Sequence, residues 1–386
     1  MNSPDYDFHP DLRPYSRMKT PLSPAFVSLV QKPMRLLYAL EHDDKSLHVT
    51  RATAPIPKTD IPAPVPSNAK SISGIKVLIY ETKDCEEPLP CLYFIHGGGF
   101  VFNAAPHHFA LARRFTKELG IKTVFIDYRL APKHKFPAAH NDCLAAYEWL
   151  VSNADNLGID HRRIVVAGDS AGGNLSAAVC LMAKERRLPM PKAQMLLYPV
   201  LDCRMQTQSY RLYTDTPMCN TQDMEKYFEM YVGDLEKIST SLVPYISPLE
   251  APYLGGMPPA YIETAQYDCL HDEGVQYAQA LESNGVPIEL HEIKDAMHGY
   301  DIARNSLFMD SIMAKYYTSQ DSKYASALTV IDGVKLTTEQ YGIAARKGSA
   351  LIYYINNALV ELSKDGTLKT LADKFGIASD LCIDES

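Results

Sequence analysis

The sequence has little of what marks several classes of protein. It contains one tryptophan in 386 residues, and its apolar runs are all shorter than the roughly 18 residues of a membrane-spanning helix. Basic runs are also missing, because 38 lysines and arginines are outnumbered by 46 aspartates and glutamates, and the net charge is −8. Nucleic acids and anionic membranes are therefore poor candidate partners.

Cysteine patterns typical of metal sites or disulfide frameworks are absent as well. The eight cysteines are scattered, without a C-x-x-C pair or a histidine at zinc-ligand spacing, so we expect buried, reduced thiols and no metal. The N-terminal stretch has no apolar segment of the length that a secretory signal needs. We therefore expect a cytoplasmic protein.

The sequence does contain enough hydrophobic residues for a large globular core, since 46% of the residues are hydrophobic and 22% are charged. From residue 75 onward, short apolar runs such as "LPCLYFI" and "RIVVAG" alternate with helical patterns. The helical patterns lie near residues 106–119, 137–153, 171–187, 221–232 and 272–284. This alternation predicts an α/β fold, in which helices cover both faces of a mostly parallel sheet. Ligands of such sheets bind beyond the carboxyl ends of the strands.

One stretch, "VVAGDSAGGNLSAAVC" (165–180), places a serine between glycines where an apolar strand gives way to a helical pattern. The glycines of its G-x-S-x-G pattern allow a sharp turn and keep bulk away, so that the hydroxyl projects above the sheet. The pattern predicts that Ser170 is a nucleophile. The alternative is that Ser170 only caps the helix beginning at Ala171.

A serine hydroxyl reacts only when a base removes its proton and a third group orients that base. His298 follows the last predicted strand, and Asp268 lies in the loop after "PAYIETA", which fits the chain order serine, acid, histidine that accompanies such a turn. Other candidates fit less well: His291 and Glu263 fall inside strands, and Asp272 suits a helix N-cap. We therefore predict that Ser170, Asp268 and His298 act together.

Acyl transfer also needs N–H donors for the negative charge of the tetrahedral intermediate. The stretch "FIHGGGFVF" (94–102) follows the first long apolar strand, and its consecutive glycines let backbone N–H groups face a ligand. The N–H of Ala171 would complete such an oxyanion hole. The alternative for the glycines is a flexible turn. His96 is expected to anchor this loop by hydrogen bonds rather than to act as a second base.

Together these motifs resemble the bacterial hormone-sensitive-lipase-like family of α/β-hydrolases, whose members are carboxylesterases and acetyl esterases. "HGGGF", "DYRLAP", "GDSAGG", "YDCLHDEG" and "HGY" occur in the family's order. The resemblance implies an α/β-hydrolase domain over residues 1–320, with a helical cap from about residues 1–45 and 204–242. It implies the following roles: Ser170, Asp268 and His298 as catalytic residues, and Gly98, Gly99 and Ala171 as oxyanion-hole donors.

The C-terminal stretch, residues 321–386, is similar to the end of bacterial type 2 periplasmic amino-acid-binding proteins. It predicts a small α+β extension with strands at "ALTVID" and "YGIAAR" and two helices, the first with an apolar stripe of Leu351, Ile355, Leu359 and Leu362. The stretch is too short to build the ligand cleft of those proteins, so amino-acid binding is not carried over. Docking on the hydrolase domain or on a second copy is the expected use, and a remnant without a role is the alternative.

The predicted activity is hydrolysis of short acyl esters, such as acetyl esters of sugars or small alcohols, through an acyl-enzyme and without cofactors. Small ester molecules are the expected partners, together with a homo-oligomer aided by the C-terminal extension. Two alternatives stay open: a non-catalytic small-molecule receptor on the same fold, and an amidase or peptidase that uses the same three residues.

Overall fold

The computed structural model describes residues 6–19, 22–56, 74–83 and 88–302, together with 328–329, 345–346 and Gly366. The chain divides into two units, Met1–Ser306 and Leu307–Ser386. The boundary predicted between residues 320 and 321 lies outside the described residues and stays a prediction.

The described part of the first unit contains one large sheet. Its strands are β1 (Leu47–Ala54), β2 (Ile75–Thr82), β3 (Leu89–Ile95), β4 (Lys122–Asp127), β5 (Ile159–Asp169), β6 (Ala193–Leu197), β7 (Ala260–Tyr267) and β8 (Ile288–Met297). They are arranged in the order β1, β2, β4, β3, β5, β6, β7, β8. All neighbours from β4 to β8 are parallel, whereas β1 and β2 join as antiparallel strands at one edge. The predicted mostly parallel sheet is thus confirmed.

Helices follow most of the strands. They are α1 (Pro24–Leu40), α2 (Pro106–Leu119), α3 (Ala138–Ser152), α4 (Ala171–Glu185), α5 (Gln208–Leu212), α6 (Thr221–Tyr231), α7 (Val243–Ile246) and α8 (His271–Ser283). Short 3₁₀ helices lie at Arg13–Tyr15, Asp155–Leu157, Leu235–Lys237, Thr240–Leu242, Pro248–Glu250 and Tyr300–Ile302. Within the described ranges, no helix combines the length and apolar character needed to cross a membrane.

The five predicted helices are confirmed, whereas β1 is a strand that the sequence analysis missed. Its sequence "LHVTRATA" mixes polar and small residues, and it pairs along its whole length with β2. In the middle of the sheet, by contrast, every residue of β3 is buried, because the sheet is covered on both faces.

The strand registers determine where the functional motifs meet. Ile95 at the end of β3 pairs with Gly168 near the end of β5, so the triple-glycine loop and the serine turn emerge side by side. Tyr267 of β7 pairs with Met297 of β8, which places the following residues, Asp268 and His298, next to each other. All four motifs therefore lie at the carboxyl edge of the sheet, as expected for this fold class.

The two predicted cap segments contact each other. The Tyr6 hydroxyl donates a hydrogen bond to Asp215 at 2.7 Å, and the Met218 N–H lies 3.4 Å from the carbonyl oxygen of Met18. Helices α5 and α6 occupy the connection between β6 and β7, where the second cap segment is expected.

In the second unit, β9 (Leu328–Thr329) and β10 (Ala345–Arg346) form an antiparallel pair. Both fall within the two strands predicted for this stretch. The predicted helices lie outside the described residues, and the similarity of this stretch to solute-binding proteins stays a prediction.

An ion pair with a buried carboxylate fixes the loop after β4. The Arg129 guanidinium donates to the Asp142 carboxylate of α3 at 2.6 and 2.8 Å, and the Arg129 N–H donates to it at 2.9 Å. The Asp142 side chain is almost completely buried. This one carboxylate therefore ties the "DYRLAP" loop to the helix beneath it.

We expect Asp142→Ala to lower the free energy of unfolding by about 3 kcal/mol, because it leaves the Arg129 guanidinium without its buried partner. Urea denaturation followed by circular dichroism measures the change. Glu118→Ala is the matched control, since Glu118 pairs with Arg114 on the exposed face of α2 and should contribute about 0.5 kcal/mol or less. Equal losses in the two variants would contradict the role assigned to Asp142.

Candidate active site

Ser170 sits on a strained turn between β5 and α4. Its backbone angles, φ 52° and ψ −119°, lie in a region that non-glycine residues seldom adopt. The turn is held by hydrogen bonds on both sides, from the Ser170 N–H to the Leu197 carbonyl at 2.8 Å and from the Val200 N–H to the Ser170 carbonyl at 3.1 Å. The side chain makes no capping bond to α4, so the capping alternative is not what the structure shows.

Close packing explains the glycine two residues after the serine. A Cβ atom at Gly172 would lie 2.0 Å from the carbonyl oxygen of Ile95, the last residue of β3. The first turn of α4 therefore lies directly against the strand that leads into the triple-glycine loop. This contact brings the serine turn and that loop together.

The hydroxyl of Ser170 faces the base predicted for it. His298 Nε2 lies 2.9 Å from Ser170 Oγ, and His298 Nδ1 lies 2.7 Å from Asp268 Oδ2. Because the carboxylate accepts from Nδ1–H, Nε2 is left to accept the serine proton. Burial lowers the pKa of His298, but the adjacent Asp268 carboxylate outweighs it and raises the pKa above its usual range.

The second carboxylate oxygen of Asp268 also accepts a hydrogen bond, which fixes the side chain. The carboxylate accepts a hydrogen bond from the Leu270 N–H at 3.0 Å through Oδ1, and its side chain is 1% exposed. The structure thus brings all three predicted residues into one hydrogen-bonded chain, although they lie far apart in the sequence.

The alternative acid and base candidates have other partners. His291 contacts Glu289 at 2.6 Å, and Glu263, buried in β7, accepts from the hydroxyls of Tyr261 and Tyr300. The N-cap prediction for Asp272 is wrong. Helix α8 begins at His271 after the N-cap Leu270, so Asp272 lies within its first turn, and the Asp272 carboxylate accepts from the Ser209 N–H at 2.8 Å.

The backbone N–H groups of the triple-glycine loop differ in whether they already have a partner. The Gly97 N–H is occupied, since it donates to Asp169 Oδ1 at 2.9 Å. Gly98 and Gly99 follow with φ of 109° and 59°, a backbone path that favours glycine. Ala171 is the first residue of α4, so its N–H has no acceptor within that helix. The three predicted oxyanion donors therefore lie on two adjoining segments.

His96 anchors the loop, as predicted. Its Nδ1 donates to the Gly97 carbonyl at 2.7 Å, and its ring stacks on Tyr128 with centroids 4.4 Å apart. The Tyr128 hydroxyl in turn donates to the His96 carbonyl at 2.8 Å. The position of the ring is thus fixed by contacts on two sides.

A second histidine and carboxylate pair next to Ser170 was missed by the sequence analysis. Asp169 Oδ2 lies 3.1 Å from His108 Nε2, and both side chains are buried. Burial alone raises the pKa of Asp169, but His108 and its neighbours lower it to about 2. Because Asp169 also accepts from the Gly97 N–H, it connects the serine turn to the glycine loop. The sequence contained one indication of this role, because Asp169 directly precedes Ser170.

Residues from both cap segments also border the loop. Tyr227 of α6 lies so close to Gly99 that a Cβ atom there would approach its ring to 2.4 Å. Gln31 of α1 donates from its side-chain amide to the carbonyls of Val101 and Ala131, both at 2.7 Å. The loop therefore has a neighbour from each of the two predicted cap segments. Among the described residues, no group of three or more His, Cys, Asp or Glu side chains is arranged to hold a metal ion.

Several known proteins with related sequences are named as esterases or ester hydrolases. A family model described as alpha/beta hydrolase fold matches residues 92–302. The carboxylic ester hydrolase LipN of Mycobacterium tuberculosis is 39% identical over 216 residues, which cover 55% of this chain and 57% of LipN. The ethyl acetate hydrolase of Pseudomonas putida is 35% identical over 210 residues, which cover 54% of this chain and 65% of that enzyme. The chain thus spans between 57% and 65% of the length of these two relatives.

Solved structures agree with these relatives. A bacterial heroin esterase has a TM-score of 0.68 at 29% identity, and the match covers 78% of this chain and 92% of that chain. The region of the family match contains all three residues of the hydrogen-bonded chain, Ser170, Asp268 and His298.

The charge state of His298 should control the reactivity of Ser170. We expect the rate of Ser170 labelling by a fluorophosphonate to fall at low pH, where His298 is protonated. In Asp268→Asn the pKa of His298 loses the support of the carboxylate, so this acid limb should move to lower pH. The rate on the plateau should fall by about 10⁴-fold, because the wrong tautomer is favoured. Labelling rates measured from low to high pH report both changes.

Asp272→Asn is the matched control, because Asp272 bonds the Ser209 N–H and should leave the profile unchanged. An acid limb that stays in place in Asp268→Asn would show that Asp268 does not act on His298.

Proposed function

This chain belongs to the α/β-hydrolase family, and we propose that it is a serine carboxylesterase of the hormone-sensitive-lipase-like group that cleaves short acyl esters. The observation that carries the proposal is the hydrogen-bonded chain from Ser170 through His298 to Asp268. The similarity to enzymes named carboxylic ester hydrolase and ethyl acetate hydrolase supports the same activity.

The proposed reaction has two halves. His298 Nε2 takes the proton of Ser170 as its oxygen attacks the ester carbonyl, while Asp268 holds the imidazole in the required tautomer and stabilises its charged form. The amides of Gly98, Gly99 and Ala171 stabilise the oxyanion of the tetrahedral intermediate. The alcohol leaves with a proton from His298, and the acyl group stays on Ser170.

Water then repeats the sequence on the acyl-enzyme. His298 removes a proton from the water, the hydroxide attacks the acyl carbonyl, and Ser170 leaves with the proton returned by His298. These steps use no metal or organic cofactor. The remaining free energy of catalysis comes from orientation, because the cap and the strand ends hold all these groups in place before substrate binds.

A short acyl or alcohol group fits the surroundings of the oxyanion loop. Tyr227 of α6 lies against Gly99. Tyr231, also in α6, stacks on Phe100 of the loop with ring centroids 4.1 Å apart. The Tyr227 ring thus borders the loop at which the ester carbonyl is proposed to bind, whereas Phe100 and Tyr231 are buried in the core. The alternatives, a non-catalytic receptor and an amidase or peptidase, share the scaffold, but esterase names among the relatives favour an ester substrate.

Covalent labelling separates an enzyme from a receptor. We expect a fluorophosphonate to add one label per chain to the wild-type protein and none to Ser170→Ala, as measured by intact mass spectrometry. Ser176→Ala is the control, because Ser176 is a buried serine of α4 that lies outside the hydrogen-bonded chain. An unlabelled wild-type protein would favour the receptor.

Chain length tests the substrate class. With p-nitrophenyl esters of increasing acyl length, we expect kcat/KM to be highest from acetyl to butyryl, because longer chains meet the aromatic rings of the cap. The matching variant is Tyr227→Ala, which should shift the maximum to longer acyl groups. A wild-type maximum beyond about ten carbons would contradict the proposal, since each added methylene would then be favourable.

Two further parts of the proposal concern the setting of the enzyme. A cytoplasmic location is supported by the six cysteines of the described ranges, which are all buried free thiols. We also propose that residues 321–386 aid a homo-oligomer, because a short segment with an apolar helical stripe needs a partner surface.

Deleting residues 321–386 should produce a monomer with unchanged turnover of a short ester, because the hydrogen-bonded chain lies entirely in the first unit. Light scattering coupled to size exclusion gives the mass. If the full chain and the truncated chain contain the same number of copies per particle, the segment has no role in assembly.

A further inference from the structure

A small polar cavity lies behind the oxyanion loop, beneath α1. It measures about 10 Å³, and its polar lining is Tyr38 and Arg35 from α1, His96 and Asn103 from the two ends of the loop, and Asp127 at the end of β4, next to the rings of Phe109 and Phe125. A space of this size holds about one water molecule.

Three side chains on this cavity carry polar atoms that have no partner in the described part of the chain. These atoms are His96 Nε2, both amide atoms of Asn103, and the Tyr38 hydroxyl. The residues are 1%, 4% and 7% exposed, respectively. Buried polar groups are almost always hydrogen-bonded, so four such atoms around one cavity indicate a shared ligand.

The protonation of His96 decides what this ligand must offer. The Gly97 carbonyl can only accept, so His96 Nδ1 carries the proton of the 2.7 Å bond between them. Burial lowers the pKa of His96 to about 3, which keeps the ring neutral and leaves Nε2 as an acceptor. The unpartnered atoms on the cavity are therefore two acceptors, His96 Nε2 and Asn103 Oδ1, and two donors, Asn103 Nδ2 and the Tyr38 hydroxyl. Water is the smallest molecule that both donates and accepts.

We propose that this cavity is a binding site for an ordered water molecule that bridges His96 and Asn103 and so positions the oxyanion loop. The two residues bracket the segment that contains Gly98 and Gly99. One ligand held by both ends therefore closes this loop, and Tyr38 connects it to α1. His96 and Asn103 are positioning residues, because they act through the loop amides. This role in catalysis rests on the proposed esterase function.

The experiment compares Asn103→Leu with Asn103→Ser. Leucine fills a similar volume without a polar atom, so crystals of this variant should lack the water that electron density shows in the wild-type protein. Its kcat for a short ester should fall about 10-fold with KM unchanged, since displaced loop amides weaken binding of the transition state more than that of the substrate. Serine keeps a donor and an acceptor and leaves room for water, so kcat should stay close to wild type. Tyr38→Phe provides a second test if Asn103→Leu does not fold.

Asn284→Leu is the control for the loss of an amide, because Asn284 ends α8, away from the cavity. A dry cavity in the wild-type crystals, or a wild-type kcat in Asn103→Leu, would overturn the proposal. The crystallographic readout does not depend on turnover. If the wild-type protein contained the water but hydrolysed no ester, the site would stand and the proposed function would fail.

Discussion

The contact between the first turn of α4 and the end of β3 is the constraint on which the site depends. At Gly172 a single added carbon would lie 2.0 Å from the Ile95 carbonyl oxygen, so the helix can reach this position only without a side chain there. The contact places the strained turn of Ser170 beside the glycine loop. Asp169 then joins the two segments by accepting from the Gly97 N–H. The proposed nucleophile and the proposed oxyanion donors are thus positioned by packing before a substrate binds.

The sequence predicted the parts of the site that follow from strand ends. Ser170, Asp268 and His298 each come directly after a strand of the sheet, and parallel strands bring their carboxyl ends to one edge. Chain order and strand position were therefore sufficient for these residues. The same reasoning rejected His291 and Glu263, because residues inside strands point into the layers beside the sheet rather than over its edge.

Features that depend on contacts between distant segments were not predictable in this way. Strand β1 lacks a continuous apolar pattern, and its pairing with β2 defines it. Asp272 has the residue type of an N-cap, yet its carboxylate bonds the Ser209 N–H from another segment. Tyr227 and Gln31 reach the triple-glycine loop from the two predicted cap segments. Local propensity contains no information on such partners, and only tertiary packing decides them.

Two buried histidine and carboxylate pairs flank Ser170, and their hydrogen bonds explain why one of them is suited to be the base. In the first, His298 donates to Asp268 through Nδ1, and its Nε2 faces the serine hydroxyl. In the second, His108 Nε2 donates to Asp169, while His108 Nδ1 accepts from the Ala105 N–H at 2.9 Å. Both ring nitrogens of His108 are therefore engaged in hydrogen bonds that hold the loop. Of the two histidines, only His298 has a nitrogen lone pair directed at the Ser170 hydroxyl, where it can accept the proton.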